Sequence, residues 1–468
     1  MVSLTFYGGV NEIGGNKILL QDKDTKVFLD FGKSFTKHSR YFEDYLTPRP
    51  SNGIMDFLEM GLIPKFDGLY RHDLLKMAGL KLAKPDINAV IITHAHADHV
   101  NHVSFLHEDI PLHMGETCHL ILQALEERSF RDIEGEILNF KRRPFSKKDN
   151  KAVQRKVNTF RTGDKIKINS IELEPIHVDH SIPGAYGLII YTSEGAVVYT
   201  GDIRLHGTRP EMTREFVKKA KESKPIALII EGTRITERKE SESEQKVKQT
   251  CNAEVNNTKK FVIADFSFKD VDRLRTFYEI AKENNRKLVI SLKDAFILKW
   301  LSQDKKLKVP NYNYDSIIIH IPKRGSGTYT DSDYGTRERE FLNQGNAWTA
   351  NDIRKNQGKV ICTLTFFQFD ELIDIKPDEG SLFIYSTSEP HNEEQQFDFD
   401  RMKRWVDHFK LNMVQSHCSG HAYGEDLIDI AKEINAKRVF PVHTEHPELF
   451  KAASNNIILV EEAEKYML

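Results

Sequence analysis

The sequence predicts a soluble α/β protein of more than one domain, and three observations carry that expectation. A soft length rule divides 468 residues into about three domains. Hydrophobic residues at 39% and charged residues at 29% match a globular chain, not a disordered one. Short β-branched apolar runs alternate in blocks with stretches of helical spacing, and the pattern changes character after Asp202.

Taken in order, "SLTFYGGVNEIGGNKILLQ" reads as a strand, a glycine-rich turn and a second strand, followed by "KVFLDFG", a strand that ends at Asp30. Residues 34–87 exceed the length of a simple connection; "GIMDFLEMGLI" and "YRHDLLKMAGLKLA" carry helical spacing, as a helical lid would. "INAVIIT" (Ile87 to Thr93) is a buried strand, and "VNHVSFLHE" and "ETCHLILQALEERSF" read as helices. Strands return at "KIKI", "SIELEPIHV", "AYGLIIYT", "GAVVYTGD" and "PIALIIEG". "RITERKESESEQKVKQT" has the mixed charge of a solvated helix or linker, which places a domain boundary near residue 210. Beyond it, "KKFVIADFSFKDVDRLRTFYEIAKENNRKLVISL" is strand, loop, helix and strand, the unit of a parallel sheet. "VQSHCSGHAYGEDLIDIAKEINAKRVFPVHTEHPELF" repeats that order, with a histidine after each strand.

Cys118, Cys251, Cys362 and Cys418 are scattered without a C-x-x-C pair, so neither a disulfide framework nor a thiolate zinc site is expected, and a reducing cytoplasm fits. No apolar run approaches the roughly 20 residues of a membrane span, and the start lacks a basic segment followed by an apolar one; no membrane association is expected. The net charge of −2 excludes holding a nucleic acid by overall charge, so a locally basic groove would be required. "FKRRPFSKK" (140–148) and "PKRGSG" (322–327), the latter with Lys323 and Arg324, are the candidates.

The densest chemical signal is "THAHADHV" (93–100), which follows a strand. In an extended chain His94, His96 and Asp98 project to one side, while His99 points elsewhere. A hydrophobic core gains nothing from so many unpaired polar groups, whereas imidazole and carboxylate are the ligands zinc takes when it keeps a position open for water.

With "VDHSIPGA" (178–185) and "YTGD" (199–202), this cluster resembles the successive ligand motifs of the metallo-β-lactamase fold. "IIEGT" (229–233), "CSGHA" (418–422) and "FPVH" (440–443) resemble the three further motifs of its β-CASP branch, which processes nucleic acids. "GGVNEIGGN" and the "SGHA…EDL…PVHTE" series resemble ribonuclease J, especially its archaeal-type relatives. The resemblance implies a four-layer αββα sandwich with an inserted α/β β-CASP domain, divided as 1–210, 211–404 and 405–468, with RNA threading between the two domains. It implies two zinc ions per chain: one on His94, His96 and His180, a second on Asp98, His99 and His443, with Asp202 bridging. Spacing alone allows either His177 or His180; only the family pattern selects His180.

The resemblance further gives Asp98 a catalytic place, His421 the scissile phosphate and the leaving 3′ oxygen, and Glu231 the other nitrogen of His421. A histidine suits that task because it titrates near neutral pH. Asp30, which resembles the first motif of the fold, is expected to fix a ligand imidazole or the backbone around it. Ser419 and Gly420 are expected to offer backbone N–H groups at a helix entrance to a phosphate. A histidine at 443 goes with RNA-acting members of the branch, whereas DNA-acting ones usually carry valine. The implied activity is a 5′-to-3′ exonuclease on single-stranded RNA that prefers a 5′-monophosphate, with an RNA-processing endonuclease as the alternative. A DNA nuclease, a small-molecule hydrolase and a non-catalytic RNA-binding subunit are weaker readings. A homodimer is among the assemblies the resemblance allows. "STSEPHNEE" (386–394) departs from the glycine-rich turn of bacterial members.

Overall fold

The computed structural model describes residues 1–128, 132–144, 151–238, 242–388 and 393–468. The chain divides into two compact units: Met1–Leu205, Arg209–Lys239 and Gly420–Leu468 form one, His206–Thr208 and Glu240–Ser419 the other.

Among the described residues, the first unit holds two main sheets. One runs in the order Lys465–Met467, Val2–Phe6, Ile18–Asp22, Thr25–Leu29, Ala89–Ile92, Leu112–Gly115 and Val157–Phe160. It is antiparallel up to Thr25–Leu29 and parallel beyond. The other runs Val439–Val442, Ala227–Glu231, Ala196–Tyr199, Tyr186–Tyr191, Ile171–His177 and Ile166–Ile168. Strand periodicity sorts its side chains onto two faces. Leu188, Ile190, Val197 and Ile229 join Leu4, Phe6, Leu20 and Ile91 in the core between the sheets. Their neighbours Ile189, Val198, Leu228 and Ile230 face outward onto Phe216 and Val217 of the helix Pro210–Glu222 and onto Leu427, Ile430 and Ile434 of the helix Gly424–Ile434. The helix Glu116–Arg128 packs against the strand Leu112–Gly115 of the first sheet. These are the layers of an αββα sandwich.

The second unit is built on a fully parallel sheet in the order Ala347–Thr349, Ile317–Ile321, Lys287–Ser291, Val360–Thr363, Val262–Asp265, Leu382–Tyr385 and Asn412–Gln415. Ile263, Val289, Ile318, Cys362 and Phe383 supply one of its cores, together with Met402 and Val406 of the helix Glu393–His408.

Two expected boundaries move. Residues 211–239 belong to the first unit, because Ala227–Glu231 pairs in parallel with both Ala196–Tyr199 and Val439–Val442. Residues 405–419 belong to the inserted unit, because Asn412–Gln415 pairs with Leu382–Tyr385. The expected lid contains only short helices, Phe35–Ser39, Met55–Glu59 and His72–Met77. Its anchor is Arg71, fully buried, which pairs with Asp73 at 2.7 Å and with Glu136 at 3.0 Å. Among the described residues no helix is long and apolar enough to cross a membrane.

Candidate metal centre

The strand Ala89–Ile92 delivers the chain to Thr93 and then to His94 and His96 in extended conformation. At Ala97 the backbone turns into a single helical turn, Ala97–Val100, with His96 as its N-cap. That turn changes the expected projection. Asp98 and His99, instead of alternating, both reach a second cluster with His443, while His94 and His96 meet His180 and Asp202.

The groups are close. His96 Nδ1 lies 3.1 Å from His94 Nε2 and 3.0 Å from His180 Nε2. Asp202 Oδ2 stands between the clusters, 3.5 Å from His94 Nε2, 3.2 Å from His99 Nε2, and 3.8 Å from both His180 Nε2 and His443 Nε2. His443 Nε2 is 3.1 Å from Asp98 Oδ2. His421 Nδ1 lies 3.1 and 3.0 Å from the two oxygens of Glu231 and 4.0 Å from Asp202. All of these residues belong to the first unit. His177, the other histidine that spacing allowed, meets Thr162 Oγ1 at 2.9 Å instead.

Behind the imidazoles stands a layer of acceptors. Nδ1 of His94 meets Thr93 Oγ1 at 3.0 Å, that of His99 meets Asp30 Oδ2 at 2.8 Å, that of His180 the Gly420 carbonyl at 2.6 Å, and that of His443 Thr233 Oγ1 at 2.8 Å. Each contact places the proton on Nδ1 and turns the Nε2 lone pair toward the cluster. Asp30 also accepts the Thr93 N–H and the Tyr199 hydroxyl, each at 2.8 Å, and the Thr233 hydroxyl donates to Glu231 at 2.8 Å. The sequence singles out Asp30 and Glu231 but not Thr93, Tyr199 or Thr233. The last two stood in the quoted motifs "YTGD" and "IIEGT", and Thr93 opened "THAHADHV".

Lone pairs that converge on lone pairs repel unless something positive sits among them. Burial first, and neighbouring imidazoles second, hold His94 and His180 well below the ordinary histidine range, so protons do not fill that role there. Burial opposes protonation of His99 and His443 too, but Asp202, Asp30 and Asp98 raise the first and Asp202 and Asp98 the second. Against the cost of burial, His99 and His443 hold Asp202 well below the usual carboxylate range. Fully buried His99 Nε2 and Asp202 Oδ1 lack hydrogen-bond partners among the described residues. An open set of imidazole nitrogens and carboxylate oxygens fits zinc.

The loop 7–16 closes the Asp98 side. A Cβ on Gly14, at φ +79°, would lie 2.7 Å from Asp98 Oδ2, and the Gly9 carbonyl accepts the His443 N–H at 2.8 Å. His443 itself stands at φ +53° and Asp30 at φ +57°, left-handed conformations that are uncommon outside glycine.

The expected phosphate contacts are placed differently. The helix after "CSGHA" starts at Gly424, so Ser419 and Gly420 lie outside its first turn. Their carbonyls are engaged: Ser419 O accepts from His206 Nε2 at 2.9 Å, and Gly420 O holds His180. Arg324 is paired with both oxygens of Glu338 at 2.9 Å, and Lys323 lies along Gly327 in the same loop. In "FKRRPFSKK", Arg142 pairs with Glu108 at 2.8 Å and Arg143 with Glu136 at 2.5 Å, while 145–148 fall outside the described residues, as do 389–392 of "STSEPHNEE".

The fold is the αββα sandwich of the metallo-β-lactamase class, with an α/β domain inserted. Residues 67–253 match the family described as Beta-lactamase superfamily domain, and residues 407–455 match the Zn-dependent metallo-hydrolase RNA specificity domain. Ribonuclease J of Pyrococcus abyssi is 23% identical over 481 residues, covering 100% of this chain and 94% of that enzyme. Ribonuclease J of Mycobacterium tuberculosis is 23% identical over 449 residues, 94% of this chain and 68% of the relative. The match to Ribonuclease J of Helicobacter pylori is 25% identical over 214 residues; it takes in 44% of this chain and only 24% of that relative. A solved protein of unknown function from Enterococcus faecalis V583 shares the fold over the full length of both chains, at a TM-score of 0.75 and 24% identity. The resemblance to the β-CASP branch and to ribonuclease J is thus carried by two family descriptions and by relatives that span the chain.

Proposed function

We propose that this chain is a zinc-dependent ribonuclease that degrades single-stranded RNA from the 5′ end and prefers a 5′-monophosphate. One observation carries the metal-dependent part: four imidazoles are tied from behind through Nδ1 so that Nε2 points inward around a shared Asp202 oxygen. His94, His96 and His180 would hold one zinc, Asp98, His99 and His443 a second, and Asp202 both. Two such ions, when bound, supply Lewis acidity and lower the pKa of a water to near neutrality.

The remaining work falls to the chain. His421, with Nδ1 given to Glu231, acts through Nε2 as the proton donor to the leaving 3′ oxygen. Glu231 raises its pKa to about 9 against the effect of burial, so it carries that proton at neutral pH. Ile203 N–H and Thr233 hold the Glu231 carboxylate in place. RNA as substrate is supported by the match to an RNA specificity domain and by relatives named Ribonuclease J. The direction and the end preference rest on that likeness.

Elemental analysis should find about two zinc ions per chain, and His96→Ala and Asp202→Asn should abolish hydrolysis. RNA cleavage that persists in strong chelator would refute the assignment. A time course on RNA labelled at a 5′ hydroxyl, monophosphate or triphosphate decides the mode. Early labelled mononucleotide from the monophosphate supports it; a ladder equal for all three ends makes the protein an endonuclease.

A further inference from the structure

Among the described residues of the two basic stretches expected to hold RNA, Arg142, Arg143 and Arg324 are engaged in ion pairs. A substrate of this site needs another grip, and the segment that follows Asp30 offers one. Phe31 N–H donates to the His99 carbonyl and Lys33 N–H to the Ala97 carbonyl, so the chain here runs along the helical turn that carries Asp98. Ser34 is fixed where it leaves that turn: its hydroxyl donates to Glu12 at 2.5 Å and caps the helix Phe35–Ser39. Immediately beyond, within eleven residues, three aromatic side chains stand in solvent: Phe35 at 53%, Tyr41 at 47% and Tyr45 at 96% exposure. Arg40 lies among them, exposed and without an ion pair among the described residues, whereas Lys33 and Lys37 are paired with Glu134 and Glu462.

Exposed aromatics on a segment that leaves the turn carrying Asp98, interleaved with an unpaired arginine, are what unstacked bases require: flat faces that accept any base, and a guanidinium for the backbone or for stacking. A large contiguous apolar surface would have indicated a protein partner; here Arg40, Glu43 and Asp44 alternate with the rings along the sequence, and exposed Leu46 adjoins Tyr45. Glu43 and Asp44 in the same stretch offset the cations, so the hold comes from stacking more than from charge. We propose that Phe35, Tyr41 and Tyr45, with Arg40, form a stacking surface that grips the bases of single-stranded RNA on the segment that leaves the turn carrying Asp98. The inference rests on the ribonuclease reading and adds the residues that hold the strand.

The test uses the full chain and two readouts. Binding of a short, nuclease-resistant phosphorothioate RNA is followed by fluorescence anisotropy, and hydrolysis of bis(p-nitrophenyl) phosphate reports the centre alone. The triple variant Phe35→Ala, Tyr41→Ala, Tyr45→Ala should weaken RNA binding by at least roughly tenfold, the order seen when one stacked base loses its aromatic partner. Its hydrolysis of the small diester should match the parent, the Tyr41→Phe, Tyr45→Phe pair should retain affinity, and salt should affect binding only shallowly. RNA affinity within twofold of the parent overturns the proposal. So does equal loss of both readouts, or a triple variant that only shifts a sedimenting dimer to monomer, which would assign the face to self-association. If the parent binds RNA through these residues but cleaves none, the stacking surface stands and the ribonuclease reading falls.

Discussion

Asp30→Asn separates charge from shape at the base of the metal centre. Position 30 lies at φ +57°, a conformation asparagine tolerates about as well as aspartate, so the backbone need not move. The native carboxylate, fully buried, accepts the Thr93 N–H on Oδ1, and on Oδ2 the Thr93 hydroxyl, the Tyr199 hydroxyl and the His99 Nδ1–H, all at 2.8 Å. An amide has one acceptor oxygen. If that oxygen keeps the Thr93 N–H, the NH₂ faces donors, of which the two hydroxyls can rotate away and the His99 Nδ1–H cannot. Losing a hydrogen bond to a charged group costs about 1.5–3 kcal/mol, which sets the expected loss of folding stability. The imidazole also loses the partner that fixes its tautomer, and such losses lower metal affinity by about 10- to 100-fold. Competition with a zinc chelator, alongside thermal melting, should show the larger weakening at the His99 site, because Asp30 holds His99 directly and reaches His94 only through the Thr93 hydroxyl. Two sites that both bind within twofold of the parent would refute the role given to Asp30. Equal loss at both sites would show that it serves the whole strand end.

Three further substitutions probe other parts of the structure. Thr233→Val keeps shape and removes the hydroxyl that joins Glu231 to His443; it should cost about 1–2 kcal/mol in urea unfolding and about tenfold in RNA cleavage, and unchanged kinetics would deny the link. Arg71→Met leaves buried Asp73 without its main partner and Glu136 with Arg143 alone, and should destabilise the first unit by about 3 kcal/mol, the low end for a broken buried pair; a loss under about 1 kcal/mol would contradict this. Burial pushes the Asp265 carboxyl up to about 7, so the folded chain keeps a proton that the unfolded chain releases near pH 4. Stability from this group therefore falls as pH rises from about 4 to 7 and stays flat above; Asp265→Asn should be more stable than the parent by on the order of 3–4 kcal/mol at pH 8 and equal to it below pH 4, as urea titrations at both pH values would show.

The strands named from the sequence were legible because their signal is local, whereas Ile317–Ile321, Val360–Thr363 and Leu382–Tyr385 of the second unit were not named. Leu188, Ile189 and Ile190 are β-branched or apolar in sequence whichever face each takes, and a run of such residues needs no knowledge of its partner. Boundaries were less legible, because they depend on pairing. "PIALIIEG" reads as a buried parallel strand in either unit, and only its pairing with Ala196–Tyr199 and Val439–Val442 assigns it to the first. The helix read into "VNHVSFLHE" fails for a similar reason. Phe31, remote in sequence, donates its N–H to the His99 carbonyl and accepts the His102 N–H, and the chain becomes a helical turn followed by the 3₁₀ segment Asn101–Phe105.

At the metal centre the ligand types were visible in the sequence, but the choice of ring nitrogen was not, because it is made by partners from other elements. His94 and His180 belong to a cluster held by side-chain and carbonyl contacts from Thr93 and Gly420, with ordinary backbone at both positions. The other cluster depends on conformation. His443, a ligand candidate, and Asp30, which orients His99, both stand at positive φ, a cost of order 1 kcal/mol or more each, and both are held there by main-chain bonds: Asp30 N–H to Ile91 and His443 N–H to Gly9, each 2.8 Å. Gly14 leaves Asp98 the space that a Cβ would take. The Asp98–His99–His443 group thus rests on a loop, two strained residues and one glycine, and the His94–His96–His180 group on side chains already in place. Cations added stepwise should fill the latter first, and perturbations of the loop 7–16 should empty the former alone.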